Sequence, residues 1–365
     1  MSSKICSYAK LCSGCSEWNT PYSSQLNSKQ NDLLNGLNQS SIPLDSKPIV
    51  HFVGPQSVRD RLDFTIEGER IGLYSSSSKQ IVDLESCLQL SEELQAFYNE
   101  FRKINWPIKR GSIRLRVSPT GKRGAWLDFS NLDVKFLLEE QSTLRELSKL
   151  CVIEIGQRRK TLQVSEELTL QPPVLRPWMN SIFMQQEVSI YSTVGSFTQV
   201  GHEANKLLVK IIQLLCSKIN KSNLTILEYG AGCGNLTFPA MNLQTQVFIL
   251  ENDQLGILGH KKTAQELNLQ NQIHYLKSPK EVNLSLVDLI LANPPRSGLS
   301  DLLQKMYAIE ISFLPKNFIY MSCFQESFFR DAQMLSQMGY KITELHIVDQ
   351  FPQTKHYETI AFMSR

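Results

Sequence analysis

Ile226-Leu227-Glu228-Tyr229-Gly230-Ala231-Gly232-Cys233-Gly234-Asn235 runs from an apolar strand through a glycine-rich turn towards a helix. Glycines let the backbone take positive φ and come close to a ligand. The Gly-x-Gly-x-Gly spacing departs from the Gly-x-Gly-x-x-Gly of dinucleotide sites, which weighs against a nicotinamide cofactor. Working outward, helical and strand patterns alternate. Helices are predicted over 202–218, 235–242, 253–268, 299–310 and 325–338. Strands are predicted over 224–229, 246–251, 272–276, 287–292, 317–321, 341–348 and 358–363. Such alternation is the pattern of an α/β fold with an open, doubly wound sheet.

Upstream the texture changes. Alternating runs such as Arg61-Leu62-Asp63-Phe64-Thr65-Ile66 and Ile113-Arg114-Leu115-Arg116-Val117 read as antiparallel strands, with a helix around 91–104. Pro172-Pro173 and Pro177 mark a linker. Residues 1–45 open with cysteines and continue into a helix with Leu26, Leu33, Leu34 and Leu37 on one face. Three parts are therefore expected: 1–45, completed by Cys87; a β-rich central domain over 46–180; and the α/β domain over 181–365.

With 42% hydrophobic and 20% charged residues, the 365-residue chain should fold around cores rather than stay disordered. A net charge of +3 permits an RNA partner without demanding one, because phosphate contact depends on local clustering. No apolar run approaches the roughly 18–20 residues of a membrane span, and no signal-peptide pattern opens the chain. A cytoplasmic monomer without membrane contact is expected. Eight cysteines in a reducing compartment point to metal or catalysis rather than disulfides.

In open α/β sheets ligands sit at the carboxyl ends of the strands. Glu251 ends the strand after the glycine turn, where a carboxylate can accept hydrogen bonds from both ribose hydroxyls of an adenosine ligand, a sign of S-adenosylmethionine. Asn293-Pro294-Pro295-Arg296 ends another, its prolines stiffening the loop that presents Asn293 and Arg296. Cys323 ends a third, and Glu358 begins the last strand. Uracil C5 is a poor nucleophile until something adds to C6. A thiolate suits that addition, and the C5 proton must afterwards pass to a base such as Glu358.

Taken together, Ser196-Phe197-Thr198-Gln199, Asn293-Pro294-Pro295-Arg296, Ser322-Cys323 and His356-Tyr357-Glu358 resemble the uridine-5 RNA methyltransferases, in that order along the chain. The resemblance covers nearly the whole chain. It is strongest to the short bacterial class acting on 23S rRNA, which lacks an N-terminal RNA-binding TRAM barrel. It implies a class I (Rossmann-like) methyltransferase domain, preceded by a central α+β domain and a small iron–sulfur segment. It also implies S-adenosylmethionine contacts from Gln199, Tyr229, Gly230, Gly232, Asn235, Glu251 and Asn293. The nucleophile would be Cys323, the base Glu358, and the ligands of a [4Fe-4S] cluster Cys6, Cys12, Cys15 and Cys87. Two positions depart from the family: Phe324 stands where Asn usually follows the nucleophile, and Tyr229-Gly230-Ala231 lacks the usual aromatic-Cys pair.

RNA contact is expected from Arg59 and Arg61, from Arg296, and from a concentration of Lys109, Arg110, Arg114, Arg116, Lys122 and Arg123. Trp106 and Trp126 are stacking candidates, and Arg158-Arg159-Lys160 is a further basic group. Rival readings remain. Four thiolates also suit tetrahedral zinc. Asn-Pro-Pro also serves amino-group methyltransferases of the N6-adenine type, which need neither Cys323 nor Glu358. A catalytically silent RNA-binding assembly factor could keep the same fold.

Overall fold

In the computed structural model, which describes residues 5–128, 134–157 and 160–365, the glycine-rich turn leaves an inner strand of an eight-stranded sheet. That strand, Thr225–Tyr229, lies between Gln246–Leu250 and Leu289–Ala292, both parallel to it. Ile273–Leu276 extends one side. On the other side come Asn317–Ser322, parallel, then Glu358–Ser364 and Lys341–Asp349 in antiparallel pairing. Ile49–Phe52 closes that edge, parallel to Lys341–Asp349.

Side chains alternate across a strand with period two. Here both faces are covered, so consecutive apolar residues go to different cores. Ile290, Phe318 and Tyr320 enter one buried cluster, whereas Leu289, Leu291 and Ile319 enter the other. This is why these strands read as unbroken apolar runs. Helix His202–Ser217 covers one face with Ala204, Leu208, Ile211, Ile212 and Leu215, which share one helical stripe. The helix expected over 235–242 is absent. Only Phe238–Ala240 makes a single 3-10 turn, and Met241 is already extended. Leu236, Phe238, Ala240 and Met241 are all buried, which the single face of one surface helix would not arrange.

The second eight-stranded sheet has the order Ile81–Asp83, Arg70–Tyr74, Arg61–Glu67, Arg110–Val117, Arg123–Asp128, Val152–Gln157, Lys160–Val164, Leu170–Gln171. Its pairs are antiparallel except Arg123–Asp128 with Val152–Gln157. A parallel pair needs a crossover. Helices Val134–Glu140 and Ser142–Leu150 lie within it. Helix Glu92–Phe101 is capped by Ser91 Oγ, which accepts from the Leu94 N–H at 3.3 Å. It lays Phe97, Tyr98 and Phe101 into a core shared with Phe64 and Leu115.

Packing is continuous across positions 46 and 181. Helix Tyr22–Gln39 sends Leu33 and Leu37 into the core of the first sheet, and Ile49–Phe52 joins that sheet outright. Of the proline-marked linker, Pro177 lies in a hairpin strand, Arg176–Phe183 paired with Gln186–Ser192, whereas Pro172 and Pro173 precede it outside any strand. Met179 and Ile190 of the hairpin pack in the cluster that contains Leu208 and Ile212. No helix among the described residues is long and apolar enough to cross a membrane.

Candidate active site

The glycine turn sits where the sheet changes direction of growth, between the strands that lead to Glu251 and to Asn293. Gly230 has φ +79°, and a Cβ there would stand 2.3 Å from the Asn293 carbonyl oxygen, so only glycine fits. The Asn293 N–H donates to Tyr229 O at 2.9 Å, which fixes the proline loop against the glycine turn. Gly232, at φ +55°, faces open space. The Glu251 carboxylate binds the turn from the other side. Oε2 accepts the Gly232 N–H at 2.7 Å, and Oε1 accepts those of Asn252 and Asp253 at 2.6 and 2.7 Å. A carboxylate has about four acceptor positions, so capacity remains for a ribose hydroxyl.

Gln199 is buried, on a segment held to the same turn. The Cys233 thiol points at Phe197 O, 4.0 Å away, and Arg116 donates to Thr198 Oγ1 at 3.1 Å. Tyr229 is half-buried at the end of its strand. Asn235 differs from the expectation. Its side-chain amide exchanges two hydrogen bonds with that of Asn205, at 2.6 and 3.1 Å, and so braces helix His202–Ser217 instead of offering itself to a ligand.

Cys323 and Glu358 come together through sheet register. Strands Asn317–Ser322 and Glu358–Ser364 are antiparallel, and their last pair at this end is Ser322 with Thr359. Cys323 follows Ser322 directly and Glu358 precedes Thr359, so both stand at the same end of the two strands, near enough for the Glu358 charge to act on the thiol. Glu358 is 4% exposed, and its Oε2 has no hydrogen-bond partner among the described residues. Burial lifts this carboxyl to about 8, opposed only by a hydrogen bond with the Gln350 side chain. The Cys323 thiol is also raised, by burial first and then by the Glu358 charge; the nearby positive charge of Arg296 pulls the other way. The Arg296 guanidinium lies 6.0 Å over the Phe324 ring. The family departure at 324 thus gives an aromatic platform to Arg296, a cation beside the thiol. Sequence reading marked Phe324 only as a departure from the motif, and it missed Gln350, which belongs to no motif.

All four expected cluster cysteines line one cavity of about 140 Å³. The Gly14 N–H points at Cys12 Sγ, 3.4 Å away. Burial raises the thiols of Cys12, Cys15 and Cys87, with Cys15 pushed up to about 12, and each of the three is also raised by the charge of another sulfur in the group. Arg59 lines the same cavity. Among the described residues no three His, Cys, Asp or Glu side chains form a group able to hold a metal ion. Cys216 and Cys233 are buried and Cys151 is half-buried.

The basic residues separate into different roles. Arg61 is half-buried, its Nη1 without a hydrogen-bond partner among the described residues, 5.4 Å over the exposed Phe197 ring. Arg59 lies 5.7 Å over Phe351. Arg114 pairs with Asp63 at 2.7 Å and sits over Trp126. Arg116 corrects the sequence expectation. At 2% exposure it cannot reach RNA, and it donates instead to the carbonyls of Thr193, Val194 and Trp178. Trp106 is likewise a core residue, packed on Phe101 with ring centroids 5.0 Å apart, and not a stacking surface. Arg123 is tied to Glu100 at 2.9 Å. Arg158 and Arg159 lie outside the described residues.

A family model described as tRNA (uracil-5-)-methyltransferase matches residues 258–365. An uncharacterized RNA methyltransferase of Bdellovibrio bacteriovorus is 41% identical over 99% of this chain and 95% of its own length. A 23S rRNA (uracil(1939)-C(5))-methyltransferase RlmD of Shewanella denitrificans is 26% identical, over 98% of this chain and 81% of its own. Among solved structures, the tRNA (uracil-54, C5)-methyltransferase of Pyrococcus abyssi, in complex with S-adenosyl-L-homocysteine, superimposes with a TM-score of 0.68. It is 20% identical, covering 97% of this chain and 86% of that one, a likeness of fold.

Proposed function

Because the chain belongs to the RNA (uracil-5-)-methyltransferase family, we propose that it methylates C5 of a loop uridine in RNA, 23S rRNA in preference to tRNA. In this reading Cys323 is the nucleophile and Glu358 the base. The observation that carries the reading is that Cys323 and Glu358 stand beside the last pair of two neighbouring strands, Ser322 with Thr359, close enough for the Glu358 charge to act on the thiol, on the rim that also carries the glycine turn and Asn293. S-adenosylmethionine, held by Gln199, Tyr229, Gly230, Gly232, Glu251 and Asn293, supplies an electrophilic methyl group when bound. The Cys323 thiolate adds to C6 of the uracil, and the C5–C6 π electrons move into the C4 carbonyl as an enolate. C5 then takes the methyl group with the enolate pair, and the electrons of the methyl–sulfur bond that breaks stay with the donor as a neutral thioether. Glu358 accepts the C5 proton, the C6–S bond breaks, and the thiolate is restored. Arg296 favours the thiolate at the start and again as the leaving group at the end. A uridine inside a helix could not reach the rim, so the target is flipped out of a loop. Arg59, Arg61, Arg114 and Arg296 are the RNA contacts in this reading. The enzyme would act as a cytoplasmic monomer.

The shared cavity of Cys6, Cys12, Cys15 and Cys87 supports a [4Fe-4S] cluster. Buried thiols that resist ionisation are poor free groups, and ligation to iron reverses that cost. The iron–sulfur segment, central RNA-binding domain and methyltransferase domain are then the three working parts.

RNA carrying 5-fluorouridine tests the chemistry, because fluorine cannot leave C5 as a proton does. The protein should be trapped as a covalent adduct and Cys323→Ala should not. Tight RNA binding without an adduct would favour the silent factor. Methylation surviving Cys323→Ala would favour amino-group transfer. Mapping 5-methyluridine in ribosomal RNA with and without the protein names the nucleotide. Four iron and four sulfide per chain after anaerobic purification would support the cluster; one zinc would refute it.

A further inference from the structure

The helix Tyr22–Gln39 carries a polar stripe that the proposed chemistry does not use. Tyr22, Gln25, Lys29 and Asp32 are spaced three, four and three residues apart, which places them on one helical face. All four reach the segment that leads into Glu358. Lys29 Nζ, buried, pairs with the fully buried Asp349 at 2.7 Å and donates to Phe351 O at 3.1 Å. Tyr22 Oη donates to the other Asp349 oxygen at 2.7 Å. Gln25 and Gln353 exchange two hydrogen bonds, Nε2 to Oε1 at 2.8 Å and the Gln353 N–H to Gln25 Oε1 at 3.0 Å. Tyr357 Oη donates to Asp32 at 2.8 Å, immediately before Glu358.

The segment needs such support. It has no regular secondary structure between Asp349 and Glu358, and Gln353 sits at φ +64°, a conformation uncommon outside glycine. Its backbone is also tied to the cysteine-rich stretch, since the N–H groups of Ser16 and Glu17 both donate to Gln353 O at 2.9 Å. A surface helix that only covered a core would bury apolar side chains here. This one buries a lysine and a glutamine, at 3% and 2% exposure; Lys29 turns its ammonium to this segment, and Gln25 divides its amide between Gln353 and the carbonyls of Glu17 and Thr20.

We infer that Gln25 and Lys29 are positioning residues for the base: through Gln353 and Asp349 they hold the 349–357 segment so that the Glu358 carboxyl faces the C5 position opposite Cys323. The inference rests on Glu358 being the base. They touch neither thiol nor methyl donor, so proton removal depends on them while addition and methyl transfer do not.

The test separates those steps in the full-length protein. Gln25→Met is one variant. Lys29→Met alone would strand the buried Asp349 charge, so it is combined with Asp349→Asn. Adduct formation on 5-fluorouridine RNA reads addition and methyl transfer, and release of 5-methyluridine RNA reads proton removal. Both variants should form the fluorinated adduct within about twofold of the wild-type rate. Both should release product at least about tenfold more slowly, with methylated covalent RNA–protein accumulating. Equal losses in both steps, the signature of a general structural role, would overturn the inference, as would unchanged product release. Glu358→Gln serves as reference. If it releases product normally, the assignment of the base has failed; if it stalls and the helix variants do not, only the positioning inference has failed.

Discussion

Replacing Glu358 by glutamine should end turnover and yet make the fold more stable, by an amount that grows with pH. The carboxyl titrates near its ordinary 4.5 in the unfolded chain and near about 8 when buried in the fold. Between those values the unfolded chain has released a proton that the folded chain still holds, so rising pH favours unfolding. Stability from the neutral carboxyl is complete below about pH 4.5 and declines as pH climbs towards 8. At about 1.4 kcal/mol per pH unit, the loss is roughly 3 kcal/mol by pH 7 and about 5 kcal/mol over the whole interval. Glutamine has the shape of the protonated acid and does not titrate. Urea midpoints of the two proteins at pH 5, 6, 7 and 8 should therefore diverge steadily in favour of Glu358→Gln. Glu228, also buried and also lifted to about 8, is present in both and cancels. A difference that stays constant with pH, or a variant less stable at every pH, would refute the reasoning. The unpartnered Oε2 that makes this carboxyl costly to ionise is the same atom left free to take a proton from substrate.

Catalytic efficiency on uridine RNA should climb as pH rises to about 8, because Glu358 must be ionised to act as a base. Arg296→Gln removes the cation that lowers Cys323, so the pH profile of adduct formation on 5-fluorouridine RNA should move up by about one pH unit. An unchanged profile would exclude Arg296 from thiol activation. Arg61→Ala should weaken RNA binding across sequences and reduce the salt slope by about 1, whereas Arg116→Met should leave the slope alone and cost about 2–4 kcal/mol of stability by stranding buried acceptors; titrations at several salt concentrations decide both. Gly230→Ala drives a Cβ into the Asn293 carbonyl oxygen and should abolish S-adenosylmethionine binding by calorimetry, and retained affinity would show that the turn yields without cost.

The parallel core was legible because a strand covered on both faces leaves an uninterrupted apolar run, as in Leu289–Ala292 and Asn317–Ser322. Residues at the carboxyl ends of such strands could be grouped at one rim without knowing any distance, which brought Gly230, Glu251, Asn293 and Cys323 into one expectation. Glu358 belonged with them by register, since an antiparallel neighbour begins where its partner ends. The failures have a common cause. Arg116, alternating with Arg114 along its strand, looked like one more solvated charge. Its face is instead covered by Thr193–Thr198, far along the chain, whose carbonyls need a donor. The helix Tyr22–Gln39 was read by its leucines, but the buried line runs Gln25, Lys29, Leu33, Leu37, and its polar half answers partners more than 300 residues away. Periodicity records which positions avoid water, and it is blind to a polar side chain whose partner is distant in sequence. Those hidden pairs are the ones a site of this kind requires. An acid that must be buried to be basic cannot be held by solvent-facing loops, so the groups fixing its segment are buried with it and must satisfy one another. In the mechanism proposed above the legible residues perform the chemistry, and the illegible ones would keep an uncomfortable carboxyl in place.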